Sequence, residues 1–183
     1  MSMNRIERLI HNYDRYVSLP WDRSLSGAQK VWFVVYDKTD ERRLRACLGE
    51  FELATKKANH GWALCDMTNA FPEWMSTMEY KEEYFKAPED LNLDDFEEYC
   101  ARKVQSTFNL SGMDQDTMVA VLGVACLFGF MKVSTLVHAV KNQIPGRLVV
   151  FFPGEYENNT YRLLDARDGW NYMAVPITYH EEQ

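Results

Sequence analysis

Two short runs, residues 30–37 (KVWFVVYD) and 147–153 (RLVVFFP), constrain this chain more than any other feature. Each is apolar at almost every position, rich in β-branched and aromatic residues, and too short for a core helix. A strand with one face in water alternates apolar and polar residues. Runs without that alternation belong to strands covered on both faces, which is how a parallel sheet between helical layers reads. Residues 62–66 and 118–127 (MVAVLGVACL) are read the same way, which makes 147–153 the fourth strand. Residues 161–165 and 172–177 are shorter and would form an antiparallel edge.

Helical periodicity fills the gaps. Ile6, Leu9, Ile10, Tyr13 and Val17 predict a helix over about 4–18, stopped by Leu19-Pro20 because a residue before proline avoids the α region. Leu44, Cys47, Leu48, Phe51, Ala54 and Ala58 predict a second, capped by Thr39 or Asp40 and terminated by Gly61. Val133, Leu136, Val137, Val140 and Ile144 predict another, ended by Pro145-Gly146. Residues 70–113 read as a polar helical insertion, in which Phe96, Tyr99, Cys100, Val104 and Phe108 share a face after a cap at Asn92 or Asp94. Strands alternating with helices predict an α/β fold: a mainly parallel, Rossmann-like or degenerate P-loop-like sheet with helices on both faces.

At 183 residues the chain is expected to form one domain over 1–183, with a core that needs neither disulfide nor metal. Apolar residues at 46% exclude a disordered chain, and 14% aromatics leave a surplus for core or contact surface. A net charge of −7 repels polyanions, so bulk attraction to nucleic acid or an anionic membrane is not expected. Cys47, Cys65, Cys100 and Cys126 are widely spaced, without zinc-ligand spacing, and read as buried free thiols. The amphipathic start lacks a signal-peptide pattern, and the longest apolar stretch, 118–131, is shorter than the roughly 18 residues that span a bilayer. A cytoplasmic protein without membrane contact is expected.

Ligands of parallel sheets bind beyond the carboxyl ends of the strands. The loop after the first strand, Asp37-Lys38-Thr39-Asp40-Glu41-Arg42-Arg43, has no glycine to cradle a phosphate, and its carboxylates would repel one. Capping of the next helix is the simpler role for those acids. Gly27-Ala28-Gln29-Lys30 precedes a strand, on the wrong side of the sheet, and Gly123 and Gly129 read as turn and packing glycines. His11, His60, His138 and His180 adjoin no nucleophile motif, and no hydrolase, metalloprotease or nuclease signature is present. No catalytic residue, metal or cofactor is assigned. Glu155, Arg162, Asp165, Arg167 and Asp168 fall at strand ends and turns close in sequence. They can fix those turns as a network, meet a partner or act in catalysis. With the flanking Tyr156, Tyr161, Trp170 and Tyr172, the mixture of aromatic residues and arginine favours an interface, whose candidate contacts are Glu155, Tyr156, Tyr161, Arg162, Arg167, Trp170 and Tyr172.

Five segments carry a family likeness: Arg5-Ile6-Glu7-Arg8-Leu9, Val34 with Tyr36-Asp37, Phe128-Gly129-Phe130-Met131-Lys132-Val133-Ser134, residues 147–156 with Phe-Phe-Pro-Gly-Glu-Tyr at their end, and Tyr161-Arg162-Leu163 with Asn171-Tyr172. In this order they resemble the BrxB domain of bacterial BREX phage-exclusion systems, over nearly the whole chain. The stretch between Arg162 and Asn171 departs from many members, which bears on partner specificity. The resemblance implies a non-catalytic assembly subunit that docks other BREX proteins, first a PglZ-like phosphatase-fold protein, then the large ATPase or the methyltransferase. The alternative is a nucleic-acid-binding or processing enzyme built on Glu155, Arg162 and Asp165.

Overall fold

The computed structural model describes residues 3–164, 166–167 and 174–180, with the side chain of Arg167 left aside. Among the described residues seven strands form one sheet: β1 (Val31–Tyr36), β2 (Gly61–Asp66), β3 (Thr117–Leu122), β4 (Arg147–Glu157), β5 (Thr160–Leu163), β6 (Ala166–Arg167) and β7 (Val175–Ile177). The main path runs β2-β3-β4-β1-β7, parallel throughout, and β5 pairs antiparallel with β4 and then with β6. The expected α/β class with a mainly parallel, Rossmann-like sheet is the one observed.

The sheet is covered on both faces because its central strands are apolar on both. Trp32, Val34 and Tyr36 of β1 pack with α1 (Arg5–Val17), α2 (Glu41–Ala46) and α3 (Leu48–Lys57), through Leu9, Tyr13, Leu44 and Phe51. Val31, Phe33 and Val35 face the other way, onto α4 (Ala70–Ser76), α6 (Leu93–Phe108) and α7 (Val133–Val140). A short exposed helix, α5 (Lys81–Lys86), connects α4 with α6. Asn4 starts α1 as a capping box, accepting from the Ile6 and Glu7 N–H groups while Glu7 accepts from Asn4. The Tyr13 hydroxyl then ties α1 to α3 at 2.6 Å from Thr55 Oγ1, a buried bond that holds two helices on one sheet face.

Several boundaries differ from the sequence reading. The predicted helix over Leu44–Ala58 begins at Glu41, breaks at Cys47 into α2 and α3, and ends at Lys57 with Ala58 as its cap; Asn59, at φ 63°, then supplies the left-handed residue assigned to Gly61. Gly61 instead opens β2. The third strand stops at Leu122 rather than Leu127. Gly123, at φ 81°, turns the chain into a single turn over Val124–Leu127, whose apolar character persists because Val124 and Leu127 are fully buried. Residues 70–113 carry α4, α5 and α6 and form the β2–β3 crossover, with Trp74, Phe96, Cys100 and Val104 in the core. The edge segment Val175–Ile177 is parallel to β1, not antiparallel, and Tyr172 lies outside the described residues.

β4 outruns its neighbours. It leaves β3 after Val150, keeps β1 as far as Pro153, and continues from Gly154 to Glu157 paired only with β5. The fourth strand therefore does not end at Pro153. Proline is tolerated where one side of the strand has lost its neighbour. Gly154 is required by close approach rather than by a bend, because a Cβ there would lie 1.8 Å from the carbonyl oxygen of Arg162 on β5.

Candidate functional site

The carboxyl ends of β1, β2 and β3 carry a chain of polar groups. Two turns there share one local design. Asp37 Oδ1 accepts from the Thr39 N–H (2.9 Å) and hydroxyl (2.6 Å), and Asp66 Oδ1 accepts from the Thr68 N–H (2.9 Å) and hydroxyl (2.5 Å). The two Thr39 donors, hydroxyl first, hold the Asp37 carboxyl below its ordinary range, and Arg5 adds to this. Arg5 reaches from α1, its Nη1 donating to Asp37 at 3.0 Å and its Nε lying 2.9 Å from Asp40 Oδ2. Asp40 is 7% exposed; the contact pairs the charges, although no N–H points squarely at that oxygen.

From β1 the network runs sideways. The Tyr36 hydroxyl donates to Glu41, Arg45 Nε donates to Glu41 at 2.6 Å, and Arg45 Nη2 donates to Thr68 Oγ1 at 3.0 Å, with Asp66 Oδ2 3.8 Å from its Nη1. Burial, followed by the Glu41 carboxylate, raises the Tyr36 phenol far above its ordinary value, so it stays protonated as a donor. Beneath the Asp66 turn, Cys126 Sγ donates to the Met67 carbonyl at 2.7 Å, and burial, then the nearby Asp66 charge, pushes this thiol up to about 11. A thiol so protonated is a poor nucleophile. These acids are spent on turns and ion pairs, and among the described residues no group of three or more His, Cys, Asp or Glu is placed to hold a metal.

The β4–β5 hairpin stands beyond this rim. Glu155 and Arg162 are register partners and both are exposed, while Tyr156 is half-buried with its hydroxyl donating to Asn159 Oδ1 at 2.8 Å. Tyr161 is a correction to the contact set. At 1% exposure it is a core residue, with ring centroids 4.6 Å from Phe33, 5.7 Å from Phe152 and 4.7 Å from Tyr156. Its buried hydroxyl has no hydrogen-bond partner among the described residues. The structure thus brings Glu155, Tyr156 and Arg162 together on a foot formed by Tyr161. The backbone of Arg167 joins β5 through β6, whereas Asp165, Asp168, Trp170 and Tyr172 lie outside the described residues. Two hollows flank the hairpin: one of about 300 Å³ lined by Glu155, Tyr156 and His180, and one of about 610 Å³ lined by Phe128, Phe130, Lys132 and Leu163.

Arg5, Arg45, Asp66 and Thr68 were not singled out from the sequence. Their signal was present in the repeated Asp-x-Thr at Asp37-Lys38-Thr39 and Asp66-Met67-Thr68, each at the end of a strand. At the opposite end of the sheet, His60 stacks on Trp21 at 3.6 Å and Arg147 sits 5.1 Å over the same indole. Compared with protein-family models, with curated proteins and with solved structures, the chain matches none of them.

Proposed function

We propose that this chain is a non-catalytic docking subunit of a BREX-type phage-exclusion assembly in the cytoplasm, binding a PglZ-like phosphatase-fold protein ahead of the large ATPase or the methyltransferase. The observation that carries this reading is the β4–β5 hairpin. It projects past the sheet, presents Glu155 and Arg162 side by side in opposite charge, and rests on the aromatic group of Phe33, Phe152 and Tyr161. A charged rim on a rigid foot suits partner recognition, because little side-chain or backbone order has to be gained on binding. The family likeness, which includes the residues of this hairpin, supplies the class of partner. No helix among the described residues is long and apolar enough to cross a membrane, which accords with a partner met away from the bilayer.

The test is co-migration of the purified chain with the PglZ-like protein in sedimentation velocity at low and high salt. A complex is expected with the unaltered chain, weakened about tenfold or more by the double reversal Glu155→Arg with Arg162→Glu, since both side chains are exposed and the fold does not depend on them. Independent sedimentation of the two proteins at either salt, or a complex indifferent to the double reversal, would count against the reading.

A further inference from the structure

The two edges of the sheet are built differently. β7 is three residues long with Pro176 at its centre, which removes an amide donor and blunts that edge. β2 is six residues long, carries no Pro, Lys or Arg, and has a single charge, Asp66, at its end. Bonds at both ends of β2 fix its phase against β3, Gly61 N donating to the Asp116 carbonyl and Met67 N to the Leu122 carbonyl. Gly61, Ala63 and Cys65 therefore turn their amides and carbonyls toward β3, and those of Trp62, Leu64 and Asp66 point out of the sheet. Leu64 is 41% exposed on the same sheet face as half-buried Trp62. Unguarded edges of this kind are pairing sites.

We propose that β2 is a homodimer interface in which the β2 strands of two copies pair antiparallel about a two-fold axis at Ala63, continuing the sheet through both molecules. The register follows from the strand. An antiparallel hydrogen-bonded pair sets two outward-pointing residues opposite each other. Centring on Ala63 forms that pair twice, Trp62 of one copy against Leu64 of the other, and covers the exposed leucine with an indole. Centring on Leu64 would instead set Trp62 against the Asp66 carboxylate.

α6 packs over β2 on the opposite sheet face, where its Lys103 carbonyl meets Cys65 Sγ, and its Arg102 and Lys103 are paired within the chain, to Glu98 and Glu73. A second copy of this chain therefore fits the edge in hydrogen bonding and in apolar pairing, and this interface leaves the β4–β5 hairpin free.

Sedimentation equilibrium of the full chain over a wide concentration range is the test. The unaltered chain and Val175→Lys, which alters the other edge, are expected to dimerise. Leu64→Lys is expected to lose the dimer with its circular dichroism intact, because the position is exposed and two ammonium groups would be buried against the indoles. A chain monomeric at every concentration overturns the proposal, as does a dimer that Leu64→Lys leaves intact or that Val175→Lys abolishes. If Leu64→Lys does not fold, amide exchange of the unaltered chain decides: protection of the Trp62 and Leu64 N–H groups must rise with concentration, and exchange independent of concentration overturns the pairing.

Discussion

Replacing Gly154 with alanine tests whether the β4–β5 hairpin is a rigid part of the sheet. The new Cβ would lie 1.8 Å from the carbonyl oxygen of Arg162 and 2.9 Å from its carbonyl carbon. To reach the shortest separation that Cβ atoms tolerate, about 3.0 Å, the two strands must part by more than 1 Å. Both contacting groups are backbone in a paired ladder, so neither can rotate away. The cost belongs at the upper end of overpacking, about 3 kcal/mol. For a chain of this length that lowers Tm by roughly 6–12 °C. Gly49 is the internal control. It sits within α3 with nothing inside 4 Å of its would-be Cβ, so alanine there is expected to add about 0.5–1 kcal/mol through helix propensity alone. Thermal melts followed by circular dichroism or calorimetry compare the two variants with the unaltered chain. A Gly154→Ala melt within about 2 °C of the unaltered chain would refute the reasoning, because it would mean that the hairpin is free to move off the sheet.

Tyr161→Phe is expected to raise stability by about 1 kcal/mol, since it deletes a buried hydroxyl without a partner among the described residues while keeping the aromatic foot; a lower Tm would show that the hydroxyl is satisfied in solution. His60 is held below its ordinary value of 6.5 first by burial and then by the Arg147 charge, against the opposing pull of Asp116. Its unfolded state therefore takes up a proton more readily than the fold does, so the stability held above pH 6.5 is lost as pH falls through the depressed folded value. Melting curves from pH 7.5 to 5 should show His60→Gln losing less Tm than the unaltered chain, and parallel pH profiles would remove His60 as the cause.

Where the sequence reading failed, the cause is local. The fully apolar run over 118–127 carries no mark of where strand becomes turn except Gly123, because the turn is as buried as the strand. The β2–β3 crossover reads as polar because its exposed faces are crowded with Glu, Asp and Lys, while its core face is spread over two helices separated by α5. Tyr161 was placed on the surface because its neighbours are polar. Yet Thr160–Leu163 alternates as a strand must, with Tyr161 and Leu163 inward and Arg162 outward. Period two, applied to four residues, would have separated the foot of the hairpin from its rim.

The acids at the strand ends show why composition could not decide between chemistry and architecture. Asp37 and Asp66 stand where a parallel sheet offers a ligand its site, and a carboxylate free at such a position could serve as a base or a metal ligand. Here each accepts two hydrogen bonds from a threonine two residues on, and each also lies against an arginine from another element, Arg5 or Arg45. The same residue types at the same places here hold the loops. Only the geometry of donor and acceptor, absent from a residue count, tells the two apart. The charged groups of the β4–β5 hairpin, Glu155 and Arg162, are exposed as well, and they stand opposite each other on a paired ladder.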